Sequence, residues 1–271
     1  MYEAVSMDGP CFTPPDPTHG MQVDAVTQMP TIRAGDDLAA IITDHVTPES
    51  DAVVCIASTV VSKAEGRARS LEAFDPSDRA EAIARRLASI TGSPKDPRFA
   101  EAVLRESAAV LLEAPFLLTQ THFGHISVNA GIDRSNTDGD DILLLPEDPS
   151  ESAGRIAAGL STDRVIITDT CGRPFRHGQR GVAIGWHGLH PARDWRGEPD
   201  RSDRLLSATV ENVVDELAAA ANLMMGEGAG GTPVAVISGF EWGDHDVSDA
   251  HFRAPEDDLI RQALEAWSFD G

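Results

Sequence analysis

The chain has 271 residues, of which 41% are hydrophobic, enough for the core of one large or two modest globular domains. Its 44 acidic and 22 basic residues give a formal net charge of −22, and only Lys63 and Lys95 are lysines. This balance disfavours nucleic acid as a partner, and the lack of an apolar run of about 18 residues disfavours a membrane span. Acid excess with so few lysines predicts a halophilic protein, because concentrated salt screens its self-repulsion.

The N-terminal segment and the cysteines together predict the cellular compartment. Residues 1–20 contain several prolines, lack the basic and apolar parts of a signal peptide, and are predicted to be a disordered leader. Cys11, Cys55 and Cys171 have no metal-site spacing, and their odd number argues against a disulfide framework. A reducing cytoplasm is the predicted location.

The first half of the chain alternates strand and helix signals. Residues 33–47 predict a turn, an Asp N-cap and a short helix, and residues 51–66 predict a buried strand that runs into a polar, functional-looking loop. Residues 76–92 and 96–114 each predict a helix with a clear start signal. Residues 116–131 predict two strands joined as a hairpin.

The second half continues the alternation. The predicted elements are a strand, a proline turn and a helix over 140–160, a buried strand over 163–170, and strands over 182–188 and 234–238. The longest helix is predicted over 202–225, and a last amphipathic helix over 256–267. Residues 241–255 are predicted to be irregular. Without internal repeats, this pattern indicates the α/β class, with mixed α+β as the alternative.

Chemically useful side chains cluster after four of the predicted elements. They are Ser58, Thr59, Ser62 and Lys63; Asp133 and Asn136; Asp169, Thr170, Arg173, Arg176, His177 and Arg180; and Glu227 among the four glycines of residues 226–231. Ligands of α/β sheets bind at the carboxyl ends of strands, so this distribution predicts an active site.

The residue types suit a nucleoside triphosphate and metal ions. Carboxylate and hydroxyl oxygens are the donors that Mg²⁺ or Mn²⁺ prefers, and a glycine loop lets backbone N–H groups approach phosphates. Lys63 could contact a phosphate oxygen, and Arg173 and Arg176 could bind anions bidentately.

Simpler explanations remain for each motif. Asp169 could cap a turn, and Ser135 and Asn136 could be plain turn residues. The glycine loop is not a Walker A sequence, and a helix C-cap with a flexible link explains it equally well. The histidine pairs at 122–125 and 187–190 lack a zinc-site pattern and are interpreted as ordinary polar residues.

Taken in order, these segments resemble the coenzyme F420-0:L-glutamate ligase family, in its archaeal and halophilic form. The resemblance runs from about residue 28 to the C-terminus; the segments that carry it are MPTIRAGDDLA, STVVSKAEGR, VNAGIDRSN, LLLPEDP, IITDTCGRPFRHG, VAIG, DELAAAANLMMGEG and FRAPEDDLIRQAL. It implies a two-lobed fold that dimerises, with residues 21–271 as one catalytic unit.

The resemblance also implies the site. Its predicted nucleotide contacts are Met29, Pro30, Thr31, Ile32, Ser58, Thr59, Lys63, Asn136, Met225, Gly226, Glu227, Gly228, Ala229, Gly230, Gly231 and Thr232. Asp133 and Asp169 would hold one divalent ion, and Thr170 and Glu227 a second, with K⁺ as a candidate monovalent ion. Lys63, Asp133 and Asp169 are the predicted catalytic residues.

The implied reaction is a GTP-dependent addition of L-glutamate to F420-0 through γ-linkages, giving F420-1 and F420-2 by way of an acyl phosphate. Two alternatives stay open. One is a γ-glutamyl ligase for a different carboxylate cofactor, and the other is a non-catalytic nucleotide-binding relative.

Overall fold

The structure is a computed structural model, and it describes residues 20–135, 137, 142–243 and 245–267. The α-helices are Leu38–His45 (α1), Ser58–Ala64 (α2), Asp78–Thr91 (α3), Pro97–Arg105 (α4), Pro149–Ala157 (α5), Val213–Met225 (α6) and Leu259–Glu265 (α7). The strands are Gln22–Val26 (β1), Val53–Ala57 (β2), Ala68–Arg69 (β3), Ser107–Leu112 (β4), Leu118–Thr121 (β5), Ile126–Val128 (β6), Ile142–Leu143 (β7), Val165–Gly172 (β8), Gln179–His187 (β9), Ala192–Asp194 (β10), Val210–Asn212 (β11), Val234–Ser238 (β12) and Asp246–Ser248 (β13). Short 3₁₀ turns span Leu71–Ala73, Asn129–Gly131 and Pro255–Asp257.

A five-stranded sheet in the order β1-β12-β2-β8-β9 is the largest in the described chain. Strands β2 and β8 are parallel, and the other neighbours pair antiparallel. Side chains along β2 alternate between two cores: Val54 and Ile56 pack with Ile42 of α1, while Val53 packs with Leu217 of α6. Because apolar residues are buried on both faces, the central strands β2 and β12 are almost continuous apolar runs.

A separate core lies under the three-stranded sheet β4-β5-β6. Helices α3 and α4 pack together there, and Ile83, Val103, Leu117 and Ile142 are buried between them and the sheet. Two smaller sheets, β3-β7 and β11-β10-β13, complete the fold. The mixed α/β class is therefore confirmed, whereas the two-lobed division and the extent of one unit over 21–271 stay predictions.

The predicted starts of α1 and α3 are confirmed by their caps. The side chain of Asp37 accepts a hydrogen bond from the Ala40 N–H at 3.1 Å, and Ser77 caps α3 through the Ala80 N–H at 3.3 Å. Such caps satisfy N–H groups that have no partner inside the helix. Helix α3 ends at Gly92, whose φ of +67° suits glycine.

Four local predictions were wrong. The helix predicted over 96–114 ends at Arg105, because Ser107–Leu112 pairs with β5 as a strand. The predicted loop after β2 is helix α2, although Thr59, Val60 and Val61 have low intrinsic helix propensity. In both places tertiary packing overrides the local preference.

The third and fourth errors lie in the C-terminal half of the chain. Helix α6 begins only at Val213, where Asn212 caps it, so α6 has 13 residues and α3, with 14, is longer. Residues 246–248 of the predicted irregular segment form strand β13. The leader was predicted over residues 1–20, of which 1–19 lie outside the described residues. Where the structure describes the chain, no helix is both long and apolar enough to cross a membrane.

Candidate active site

One edge of the five-stranded sheet collects the predicted site segments. The partners Val26↔Val234, Val234↔Ile56 and Ala57↔Thr168 show that β1 and β2 end beside the start of β12, next to the middle of the longer strand β8. Residues 29–32, helix α2, Asp169 and the glycine loop before β12 therefore meet at this edge. They border a cleft of about 1360 Å³.

Most of the predicted residues line this cleft. They are Met29, Pro30, Thr31, Ile32, Ser58, Thr59, Lys63, Asp133, Asp169, Thr170, Met225, Gly226, Glu227, Gly228, Ala229, Gly231 and Thr232. Gly230 belongs to the loop but does not border the cleft. Asn136 lies outside the described residues. The structure thus brings the four sequence clusters together, and their roles toward ligands stay predictions.

Asp169 lies on β8 near the parallel strand β2. Its Oδ1 accepts a hydrogen bond from the Ser58 hydroxyl at 3.0 Å. Burial raises the pKa of Asp169 from 3.8 to about 6, and the nearby carboxylates of Asp133 and Glu227 add to this rise. The hydrogen bonds from Ser58 and the Thr170 N–H act in the opposite direction. Asp169 lies within β8 and not at a turn after it, so the turn-cap explanation does not describe its position.

Asp133 is held by a tight turn. Its backbone pairs with Leu143, with N···O distances of 3.0 and 2.8 Å. Its Oδ1 accepts hydrogen bonds from the Ser135 N–H and hydroxyl, both at 2.7 Å, so Ser135 is a turn residue, as the simpler explanation held. Gly131 permits the approach: its φ is +67°, and a Cβ there would overlap the Leu145 side chain and lie 3.5 Å from Asp169 Oδ2.

Thr170 and Glu227 form the second predicted pair. The Thr170 hydroxyl donates to Glu227 Oε1 at 3.1 Å, and Asn222 Nδ2 donates to the same oxygen at 2.9 Å. Gly226, with a φ of +71°, ends helix α6, so the C-cap interpretation of the glycine loop is correct for this residue. The Thr232 hydroxyl donates to the Met225 carbonyl at 2.7 Å and closes the loop.

The predicted basic segment is only partly at the cleft. Arg173 borders it, whereas Arg176, His177 and Arg180 are exposed on the β8–β9 hairpin without lining it. The cations that line the cleft are Lys63, Arg173 and Arg261. Arg261, on α7, was not predicted from the sequence.

The sequence also missed one wall of the cleft, here called the apolar wall. It consists of Phe116, Leu118, Ile126 and Val128 beside and within β5–β6, and of Ile260 and Leu264 on α7. The hairpin and the last helix were both predicted, but nothing in either segment indicates that they meet. Their contact joins residues far apart in sequence, as Arg261 Nη1 donating to Gln120 Oε1 at 2.8 Å illustrates.

The donor set fits hard divalent cations. Asp133, Asp169 and Glu227 are close enough for their charges to raise one pKa, which a bound cation would offset. Among the described residues, no three His, Cys, Asp or Glu side chains form a single metal-binding group. The predicted metal ligands, Asp133 with Asp169 and Thr170 with Glu227, stay a prediction, and a metal ion at either pair would need further ligands from substrate or solvent. The histidine pairs form no metal group within the same residues.

This site is a cleft at the edge of a mixed sheet, and carboxylates, a glycine loop and cations border it. A site of this class is suited to nucleotide and metal chemistry. The family model described as F420-0:Gamma-glutamyl ligase matches residues 27–239, and the chain belongs to that family.

The chain aligns with several curated relatives over nearly their whole lengths. The chain is 62% identical to a coenzyme F420:L-glutamate ligase of Halorubrum lacusprofundi, over 92% of this chain and 100% of the relative. It is 61% identical to the protein of the same name from Halobacterium salinarum, over 93% and 100%. Identity to the Archaeoglobus fulgidus relative is 46%, over 90% and 98%.

Proposed function

We propose that this protein is a GTP-dependent ligase that adds L-glutamate, through γ-linkages, to coenzyme F420-0, giving F420-1 and then F420-2. The observation that carries the proposal is the gathering of Asp133, Asp169, Thr170, Glu227 and Lys63 along one cleft in a chain of this family. The cleft volume of about 1360 Å³ exceeds the roughly 300–1,000 Å³ of a pocket for one small ligand. A nucleotide and an acceptor can therefore be accommodated side by side.

The chemistry follows from the acceptor. A free carboxylate is a poor electrophile, so one of its oxygens first attacks the γ-phosphorus of GTP, and GDP leaves with the electrons of the broken P–O bond. The resulting acyl phosphate is then attacked at its carbonyl carbon by the amine of L-glutamate. Phosphate leaves, the nitrogen loses a proton, and an amide remains.

Side chains of the cleft assist both steps. Lys63 stabilises charge on the transferring phosphoryl group, and Arg173 binds the anionic arm of the acceptor. Asp133 with Asp169, and Thr170 with Glu227, would hold Mg²⁺ or Mn²⁺, and the bound cations would neutralise triphosphate charge. The Ser58 hydroxyl fixes Asp169 through their hydrogen bond of 3.0 Å.

The glycine loop of residues 226–232 and residues 29–32 bind the nucleotide in this proposal. Gly228 and Gly231 border the cleft without a neighbouring atom within 4 Å of a notional Cβ, so ligand phosphates can approach their backbone. K⁺ is proposed as an accompanying monovalent ion, and a homodimer as the functional assembly. Cys55 and Cys171 are free thiols, which supports a reducing cytoplasm.

Mass spectrometry of the products tests the reaction. The protein, in concentrated KCl, is mixed with F420-0, L-glutamate, GTP and Mn²⁺, and GTP is replaced by ATP in a parallel sample. We expect one or two added glutamates with GTP, and none when GTP or glutamate is omitted. A folded protein that binds GTP but yields no product would refute this acceptor, and other carboxylate cofactors would then be assayed. GTP binding without turnover of any acceptor would indicate a non-catalytic relative.

A further inference from the structure

The β5–β6 hairpin has an inverted distribution of polar and apolar residues. Thr119, Thr121 and Ser127 are buried, and their hydroxyls have no hydrogen-bond partner among the described residues. Leaving buried polar groups unpaired costs about 1–3 kcal/mol each. A shift of one residue in register would exchange the two faces of a strand. The hairpin therefore buries a polar face, which is unfavourable, while its apolar side chains face outward.

The outward face is directed to the cleft. Leu118 pairs with Val128, and Gln120 pairs with Ile126, so these side chains share one face of the sheet. Leu118, Ile126 and Val128 all border the cleft, and Val128 is 49% exposed. An exposed apolar patch that belongs to a cleft is typical of a ligand-binding surface.

Helix α7 completes the apolar wall from the other side. Ile260 borders the cleft and is 69% exposed, and Leu264 lies one turn further along the helix. Arg261 donates to Gln120 Oε1 at 2.8 Å and so ties α7 to the hairpin. The wall therefore carries one guanidinium at its edge.

We propose that the apolar wall binds the planar aromatic ring of the acceptor, an inference that rests on the proposed function. F420-0 is a deazaflavin whose ring is joined through a ribityl phosphate chain to the reacting carboxylate. A ring on the apolar wall leaves the anionic chain to run toward Arg173 and the carboxylate to reach the metal-binding pairs. Arg261 lies where it can donate to polar atoms at the edge of the ring.

Two neighbouring residues of α7 provide a matched test. Ile260 borders the cleft, whereas Leu259 does not, and their exposed fractions are similar, 69% and 74%. Ile260→Ser and Leu259→Ser make comparable changes in the same helix. Binding is measured by fluorescence anisotropy of two probes, F420-0 and the deazaflavin–ribitol fragment that lacks the phosphate and the reacting carboxylate.

We expect Ile260→Ser to raise the Kd of both probes about tenfold, because it removes apolar contact with the ring, while Leu259→Ser changes it less than twofold. The KM for F420-0 should rise in the Ile260 variant, with kcat and the KM for GTP unchanged. Unaltered GTP binding shows that the fold is intact.

Equal binding of the fragment by the two variants would overturn the assignment of the apolar wall as the ring site. A change of oligomeric state, seen by light scattering in Ile260→Ser alone, would overturn it as well. The latter result would mean that a second copy of the chain covers the wall. If the unmodified protein binds GTP but forms no glutamylated product, the proposed function itself fails. Product formation together with equal fragment binding refutes the ring site alone.

Discussion

Replacing Asp169 by Asn should separate stability from activity. The ionised carboxylate is penalised in the fold, since burial and two neighbouring carboxylates raise its pKa from 3.8 to about 6. One pKa unit corresponds to about 1.4 kcal/mol, so the metal-free protein loses up to about 3 kcal/mol at neutral pH. Asn keeps the shape and can still accept from Ser58, but it carries no charge.

The pH dependence has a defined sign. Between pH 3.8 and about 6 the folded chain holds more protons on Asp169 than the unfolded chain does, so the contribution of Asp169 to stability decreases as pH rises. Above pH 6 the penalty is complete. The Asn variant should lack this decline, and it should gain most over the unmodified protein at pH 7 and above.

Urea unfolding with EDTA in concentrated KCl measures the difference. Because burial is the largest cause of the raised pKa, salt should leave most of the effect in place. We expect Asp169→Asn to unfold at higher urea than the unmodified protein, yet to lose at least a hundredfold in glutamylation with metal present. Lower stability of the variant without metal would refute the electrostatic reasoning, and near-normal turnover would remove Asp169 from the site.

Three further predictions follow from other parts of the chain. Gly131→Ala should lower the free energy of unfolding in urea by about 2–5 kcal/mol, because a Cβ at this residue would overlap Leu145 and its φ is +67°. Gly92→Ala is the control: it has the same φ but open space around the Cβ, so it should lower the free energy of unfolding by only about 1–2 kcal/mol. Burial, with a smaller effect from His251, lowers the pKa of His125 to about 4. As the pH falls, this histidine is therefore protonated in the unfolded chain before it is protonated in the folded chain. The contribution of His125 to stability should then fall by about 3 kcal/mol from pH 6.5 to 4, and His125→Phe should lack this acid-induced loss. The melting temperature should be higher in molar than in dilute KCl because the net charge is −22.

Each of these has a contrary result. Equal losses in the two glycine variants would mean that contact with Leu145 is unimportant. An acid limb that is unchanged in His125→Phe would assign the loss of stability to other groups. A melting temperature that is indifferent to KCl would reject adaptation to salt.

The sequence was sufficient to locate the site's strands, because their information is local. Val53–Ile56 and Val165–Ile167 are apolar runs that end in polar residues, and parallel pairing of β2 with β8 brings Ser58 and Asp169 together. Helix α2 was not predictable from propensity: Val60 and Val61 favour strands, and burial of Val61 against the sheet decides otherwise.

The apolar wall could not be predicted for a different reason. Gln120 and Arg261 are separated by 141 positions, and only the packing of α7 on the β4–β6 sheet joins them. Periodicity assigns one face of each strand to the interior and favours the apolar one. Here the apolar face of the hairpin borders the cleft instead. The usual rule that the apolar face of a strand belongs to the core therefore fails here, where in our proposal a ligand covers that face.

The acidity of the chain bears on how such a cleft can attract anions. At about 1 M salt the Debye length is about 3 Å, so a net charge of −22 exerts little force on a distant substrate. Only charges in direct contact then discriminate among ligands, and Lys63, Arg173 and Arg261 are the cations that border this cleft. In dilute salt the same surface would repel a triphosphate over roughly 10 Å or more. Nucleotide binding should therefore strengthen with KCl in a folded sample, opposite to the weakening that salt causes when long-range attraction drives association.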